Sequence, residues 1–320
     1  MSSSGSSTNE DLRLTQLAQR MGPALLQQRL ALEDRREART VPPETPALHP
    51  RRWLNRNGLI RAGLTLGGLR ARGRRNVLDI QLRHNTLRVR KLPPAFEGHT
   101  LLHLSDPHLD MDEEFLQHLI SRVQGLRFDT CVLTGDFRFR SHGPWQGALD
   151  ALARLRPLLG EQVFSVLGNH DTVHMVPGME AMGIQVLMNE SARLTRAGQA
   201  LRLAGVDDPH HYRTHDIRKA ASGITSSECA ILLAHSPEPY RLAAQAGFSL
   251  MLCGHTHGGQ VCLPGGLPVL ASLRTPRAYV RGNWHYAGMA GYTSVGCGAS
   301  IVDVRLNCLP ELTLHRLQGG

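Results

Sequence analysis

A chain of 320 residues, 41% apolar and 20% charged, has the material for a full globular core. It contains no run approaching the ~18 uninterrupted apolar residues of a membrane span, and its six cysteines, Cys131, Cys229, Cys253, Cys262, Cys297 and Cys308, show no Cys-x-x-Cys spacing. These features argue against a conventional spanning helix and favour buried thiols in a reducing compartment over disulfides or a sulfur-held metal. The formal charge of +9 is local, because residues 51–91 hold 12 of the 36 Lys and Arg but only one of the 27 acids, Asp79. Its message concerns one segment's partner rather than a field over the whole body.

Residues 1–8 are Ser-rich and are expected to be disordered. Helical spacing of Leu14, Leu17, Ala18, Met21 and Leu25, broken by Pro23, predicts one or two weakly packed helices ahead of the charged stretch 33–37. Pro42, Pro43 and Pro46 make a stiff linker. Residues 51–69 admit three readings. A twin-arginine export signal is opposed by Arg61, which interrupts the apolar stretch, and by the lack of an Ala-x-Ala site. A peripheral membrane patch would set Trp53, Leu59, Ile60, Leu64, Leu66 and Leu69 against lipid and the arginines against anionic headgroups. A solvated basic helix docked on the domain is the third. The expected division is an extension and linker over 1–50, a basic segment over 51–76 and a catalytic domain over 77–320.

From residue 77 the period changes to two. Residues 77–82 and 87–90, joined around Asn85, predict a hairpin. Strand-length apolar runs follow at 100–104, 130–134 and 162–167, alternating with helical patterns at 113–123 and 145–155. Shorter strands are expected at 185–188, 192–195, 201–206, 230–233, 250–253 and 260–263, with a helix at 240–246. The alternation predicts an α/β class, and the strand-rich later part favours two mixed β-sheets packed as a sandwich with flanking helices.

Five polar blocks close these apolar runs: Asp106-Pro107-His108, Gly135-Asp136, Gly168-Asn169-His170-Asp171, His235 and Gly254-His255-Thr256-His257. Functional groups of α/β sheets collect where strands end. Asp106 and His108 are two residues apart, so in extended backbone both side chains face one side and can share an ion; the same holds for His255 and His257. Gly135, Gly168 and Gly254 each precede a candidate ligand, where a missing Cβ permits a sharp turn and close approach. Aspartates, an asparagine carbonyl and imidazoles without thiolate suit Mn, Fe, Zn or Ni better than Ca, with no choice among them. A carboxylate such as Asp136 can bridge two divalent ions ~3.5–4 Å apart, which would hold a bridging hydroxide for in-line attack on phosphorus.

With their surroundings, Leu104-Ser105-Asp106-Pro107-His108-Leu109, Leu167-Gly168-Asn169-His170-Asp171, Ala204-Gly205-Val206-Asp207-Asp208-Pro209 and Cys253-Gly254-His255-Thr256-His257-Gly258-Gly259-Gln260, these blocks resemble the calcineurin-like metallophosphoesterase superfamily. They are similar to its branch of bacterial phosphodiesterases related to UDP-2,3-diacylglucosamine pyrophosphohydrolases, over about 78–317. The resemblance implies that Asp106, His108 and His257 bind one metal, that Asn169, His235 and His255 bind a second, and that Asp136 bridges. It also implies that His170 is an acid and that Asp171 orients its imidazole. The chemistry independently asks for a proton donor to an alkoxide leaving group, typically for ~10²-fold or more.

One departure stands out. Relatives often continue Gly-Asp with two small or apolar residues and a further Asp, whereas here Phe137-Arg138-Phe139-Arg140 follows. Arg138 or Arg140 is therefore an expected contact to a substrate phosphate. The stretch from Asp207 to Asp216 is expected to be a mobile loop beside the substrate rather than a third metal site, with Asp207 on the substrate side. His103 is expected to be a satisfied core histidine and His118 a helix-surface residue.

The leading expectation is a dinuclear hydrolase of a phosphodiester or diphosphate, cytoplasmic and peripheral on the inner membrane face, with a small or lipid-linked substrate. A nuclease is the first alternative, because the basic segment can neutralise nucleic-acid phosphates, although Trp53 alone makes a poor stacking platform. A non-catalytic binding or regulatory module is the second, and the presence of all seven ligand positions opposes it.

Overall fold

Short uninterrupted apolar runs form the centre of the molecule, because a parallel strand covered on both faces leaves no exposed side for polar residues. The structure is a computed structural model and describes residues 4–38, 67–268 and 275–320. One six-stranded sheet has the order β1 (Gln81–Val89), β14 (Glu311–Gly319), β2 (Thr100–Leu104), β3 (Thr130–Leu133), β4 (Val163–Ser165) and β5 (Gln185–Val186). The other has the order β12 (Gly282–Tyr286), β13 (Met289–Thr293), β9 (Leu250–Cys253), β8 (Ala230–Leu233), β7 (Gln199–Gly205) and β6 (Glu190–Arg196). A small ribbon pairs β10 (Cys262–Leu263) with β11 (Leu267–Pro268). Strands β2 to β5 run parallel, as do β7, β8, β9 and β13, while β14, β6 and β12 are antiparallel to β2, β7 and β13. Both sheets are mixed, and the fold is the α/β sandwich that the strand and helix patterns predict.

Alternation along each strand builds the layers. Leu101, Val132 and Phe164 point between the sheets and pack with Leu201, Leu203, Ile231, Leu233, Leu250 and Leu252. Their neighbours Leu102, Leu104, Cys131 and Leu133 point outward, against α4 (Glu113–Val123), α5 (Gln146–Leu155) and α6 (Val176–Ala181). On the opposite outer face, α7 (Ile217–Ala220) and α8 (Tyr240–Gln245) cover Leu232, Met251 and Trp284. Helix α4 shows how local chemistry sets an element. Asp112 caps it by accepting from Phe115 N at 2.9 Å, Glu113 and Glu114 meet the positive end of the dipole, and Phe115, Leu116, Leu119 and Val123 form the buried stripe.

Three expectations fail. Residues 77–90 are not a hairpin: Val77 and Leu78 end α3 (Arg70–Leu78), and β1 runs straight through Asn85. Its partner is β14, in parallel register from Gln81↔Glu311 to Val89↔Gly319, so pairing with a distant strand replaces the local turn. The N-terminal helices α1 (Ser4–Met21) and α2 (Pro23–Ala38) are also better packed than expected, since Leu17, Met21 and Leu26 join the helix-side core. Gly22, at φ 101°, lets the chain reverse before Pro23 opens α2. Lastly, α1 begins at Ser4, inside the stretch expected to be disordered. The linker at 41–46 and nearly all of 51–69, with its three readings, lie outside the described residues. Among the described residues no helix is long and apolar enough to cross a membrane. All six cysteines are free and buried.

Candidate metal centre

The parallel strands β2, β3 and β4 of one sheet and β7, β8 and β9 of the other end at a common edge, and the loops that follow carry every polar block. The loop after β2 extends the ladder into the site, with Asp106 N donating to Gly135 O at 2.9 Å and His108 N to Asp136 O at 3.0 Å. The backbone there is not extended, as the two-residue spacing suggested. Asp106, His108, Asp136, His255 and His257 all have positive φ, between 43° and 70°. Five strained non-glycine residues gathered in one place mark a site whose surroundings over-determine its geometry. Close approach explains two glycines: a Cβ on Gly168 would overlap the Asp136 carboxylate, and one on Gly254 would overlap Ser105 Oγ.

The side chains converge as three linked groups, Asp106 with His108 and His257, His108 with Asp136 and His170, and Asp136 with His235 and His255. His108 Nε2 lies 3.3 Å from His257 Nε2, and His257 Nε2 lies 3.3 Å from Asp106 Oδ1. His235 Nε2 lies 3.4 Å from Asp136 Oδ2 and 3.0 Å from Asn169 Oδ1, and His255 Nδ1 lies 3.1 Å from His235 Nε2. Asp136 belongs to two of the groups and joins them. His170 sits at the rim, with Nε2 3.9 Å from Asp136 Oδ2.

Three imidazoles have their outer nitrogens engaged by backbone carbonyls: His108 Nδ1 with Arg138 O at 2.6 Å, His235 Nδ1 with Thr134 O at 2.8 Å and His170 Nδ1 with Phe139 O at 2.9 Å. Donation from Nδ1–H aims each Nε2 inward, the arrangement that outer partners impose on metal-ligating histidines. Burial pushes His108 and His255 down to about 3, and neighbouring imidazoles add to the effect, so both are neutral. Burial opposes ionisation of Asp106 and Asp136, but the facing histidines outweigh it and hold both carboxyls well below the usual range.

The donor set fits divalent cations. Asp106 Oδ1 is buried without a hydrogen-bond partner, with His257 Nε2 facing it at 3.3 Å, as two ligands of one cation would stand. Facing imidazole nitrogens 3.1–3.3 Å apart have the spacing of ligands around a common ion. Two carboxylates, one amide and several imidazoles, with no cysteine in any of the three groups, match borderline metals.

Two expected roles change. Asp171 does not touch His170. Its carboxylate accepts from the backbone N–H groups of Asp136, Phe137 and Gly168 at 2.8 Å each and of Arg138 at 3.3 Å, so it ties the β3 loop to the β4 loop, and His170 is oriented by Phe139 O instead. Asp207 is fully buried and committed to Arg29 at 3.1 Å and to Thr214, which leaves it no oxygen for a substrate. Arg138 is buried as well; it donates to Gly143 O at 2.7 Å and lines a cavity of about 330 Å³ with Glu33, Trp145 and Tyr212. His103 is a core histidine bonded to Thr134, and His118 is exposed on α4, as expected.

Residues that sequence reasoning missed complete the frame. Arg305 is fully buried and holds Gly298 O at 2.8 Å and Val295 O at 2.6 Å, while Cys297 N and Gly298 N donate to Ser105 O and Asp106 O. The segment after β13 thus braces the Asp106 loop. Arg29 and Arg36 of α2 reach the far side of the site. Neither arginine lies in a recognisable motif; the charged stretch 33–37 takes in Arg36 but gives it no role.

The calcineurin-like phosphoesterase family profile matches residues 99–259, from β2 to just beyond His257. The chain belongs to this family. A Bacillus subtilis relative, the uncharacterized metallophosphoesterase YkoQ, is 28% identical over 76% of this chain and 92% of its own length. The Escherichia coli phosphodiesterase YaeI is 28% identical over 59% of this chain and 70% of its own. A zebrafish transmembrane protein with metallophosphoesterase domain is 35% identical over 59% of this chain, which spans about half of that relative (46%). The family is one of divalent-metal phosphoester hydrolases, and the chain is a metallophosphoesterase.

Proposed function

We propose that the chain is a two-metal hydrolase of phosphodiesters or diphosphates. The observation that carries this reading is the position of Asp136, shared between the group that contains His108 and the group that contains His235 and His255. Asp106, His108 and His257 would hold one ion, Asn169, His235 and His255 the other, with Asp136 between them. When bound, two such ions supply Lewis acidity toward the phosphoryl oxygens and make water a nucleophile near neutral pH.

The chain's own residues do the rest. Phe139 O engages His170 Nδ1 and so aims Nε2 at the mouth of the site, where the protonated ring donates its Nε2–H to the departing oxygen and is left neutral. Burial lowers the His170 pKa despite the nearby Asp136 carboxylate, which eases release of that proton. The amides bound by Asp171 fix the shared ligand relative to the Asn169 loop. Arg138, in the wall of the adjoining cavity, contacts the non-reacting part of the substrate. The basic segment 51–76 places the enzyme beside an anionic membrane and its substrate near that surface.

The test is hydrolysis of a chromogenic phosphodiester, a phosphomonoester, a lipid-linked diphosphate and a single-stranded oligonucleotide, with Mn present and after chelation. Metal-dependent turnover of the diester or diphosphate is expected. Asp136→Asn should lose at least ~10³-fold in kcat while staying folded, because one neutral ligand then serves two ions. Normal turnover in that variant would reject the bridging role, preferential cleavage of the oligonucleotide would favour a nuclease, and inactivity in every metal would reject catalysis.

A further inference from the structure

Helix α2 lies outside the family match, yet one of its faces reaches the candidate metal centre. Arg29, Glu33 and Arg36 fall at i, i+4 and i+7, on one side of the helix. Arg29 is fully buried, and its guanidinium serves three acceptors: Nε donates to Glu33 Oε1 at 2.7 Å, Nη1 to Asp207 Oδ1 at 3.1 Å and Nη2 to Asp171 O at 2.7 Å. It also stacks on Tyr212, 3.4 Å from the ring centroid. Glu33 accepts from Val173 N at 3.1 Å and from Thr172 Oγ1. Arg36 Nη1 donates to Asn169 O and lies 3.3 Å from Tyr212 Oη.

These contacts answer where the backbone of the 168–173 loop finds its partners. Buried peptide groups outside a helix or sheet must be satisfied by something. Asn169 O, Asp171 O and Val173 N find their partners on α2, while Gly168 N and His170 N find theirs in the carboxylates of Asp171 and Asp136. The loop that presents Asn169 and His170 is therefore clamped from two sides, by the β3 loop and by α2.

We propose that Arg29, Glu33 and Arg36 are positioning residues, and that α2 sets the geometry of the Asn169-His170-Asp171 loop as an integral part of the active site. The catalytic part of this inference rests on the roles of Asn169 and His170 in the proposed function. The clamp itself does not, because it is a statement about hydrogen bonds. Arg29 meets its three acceptors with three different nitrogens spread over the guanidinium plane, and a single ammonium nitrogen cannot stand at all three places, so lysine is no substitute there. Docking of the N-terminal helices also has an anchor away from the site, since Arg20 on α1 pairs with Glu180 at 2.8 Å and Glu190 at 2.6 Å. That anchor separates docking from positioning.

The experiment compares Arg36→Ala, Arg29→Lys and Arg20→Ala in the full chain. It measures hydrogen exchange of peptides covering 168–173 in metal-free protein, and kcat and KM on a chromogenic phosphodiester with Mn. Arg36→Ala and Arg29→Lys should speed exchange of that loop and lower kcat ~10–100-fold, the usual effect of losing an outer partner of a metal site, with KM within about two-fold of wild type. Arg20→Ala should lower the thermal midpoint while loop exchange and kcat stay at wild-type values. Arg36 is only partly buried, so its alanine variant keeps the test decisive if Arg29→Lys does not fold. Unchanged loop exchange in Arg36→Ala overturns the clamp, as does an equal effect of Arg20→Ala. An inactive wild type with normal loop clamping would instead overturn the proposed function alone.

Discussion

Asp171→Asn separates a brace from an orienting residue. Asp171 Oδ2 accepts from Asp136 N and Gly168 N, and Oδ1 from Phe137 N and Arg138 N, at 2.8–3.3 Å. Asparagine keeps one of these oxygens and turns an NH2 toward the other two donors. Each buried N–H left without an acceptor costs ~1–3 kcal/mol, so the pair costs ~2–6 kcal/mol. A gain opposes this loss: burial and the Asp136 charge, against the pull of the backbone amides, push the Asp171 carboxyl from 3.8 up to about 6. Neutral asparagine is spared that penalty, worth ~3 kcal/mol at neutral pH. The midpoint of that loss, ~4 kcal/mol, less the gain of ~3 leaves a net expectation of ~1 kcal/mol lost in metal-free protein, read by urea denaturation. Activity should fall ~100-fold, because the shared ligand Asp136 and the Asn169 loop lose their common tether. Wild-type stability together with wild-type turnover would refute the brace. A normal denaturation curve with only a shifted pH profile would return Asp171 to the role of orienting His170.

Two further outcomes follow from buried polar groups. His315 is fully buried with Nε2 3.3 Å from His103 Nδ1; burial, then its neighbour, hold its pKa well below the ordinary value, and burial holds His103 at about 4. The unfolded chain takes up these protons below pH ~6.5 and the folded chain does not, so stability falls as pH drops from ~6.5 toward 4 and is flat above. Each histidine is worth ~2 kcal/mol by pH 5, so the stability gap between wild type and His315→Gln should shift by that amount between pH 7.5 and 5, and parallel curves would reject the assignment. Metal should also stabilise the fold: an ion at 100 times its Kd contributes ~2.7 kcal/mol, so chelation should lower the calorimetric midpoint of wild type and leave Asp136→Asn less affected. Equal chelator shifts in both would remove Asp136 from the ligand set.

The candidate ligand residues are legible in the chain because each closes an apolar strand, and Leu102 and Leu104 already tell which way such a strand faces. What defeats sequence reasoning is partnership at a distance. Nothing near Asn85 reveals that β1 pairs with a strand at residue 311, so a local hairpin was the natural reading. Adjacency misleads in the same way at Asp171, whose carboxylate turns away from His170 and binds four amides. Lone arginines such as Arg29 and Arg305 carry no pattern at all, because their meaning lies in which buried acceptors the fold brings to them.

The left-handed backbone at five candidate ligands was equally invisible, and it has a measurable consequence. An L residue in this region costs ~1–2 kcal/mol that glycine avoids, while glycine loses ~0.4–1 kcal/mol more entropy on folding than alanine. At His255, with φ 70°, the first effect is the larger. His255→Gly should therefore be more stable than His255→Ala by ~0.5–1 kcal/mol, although both lack the imidazole. At His118, on the exposed face of α4, the order should reverse, with alanine ahead by ~1 kcal/mol. Denaturation of the four variants decides the matter, because the comparison at each position cancels the lost histidine. Alanine equal to or better than glycine at 255 would mean that the site holds its ligands without backbone strain.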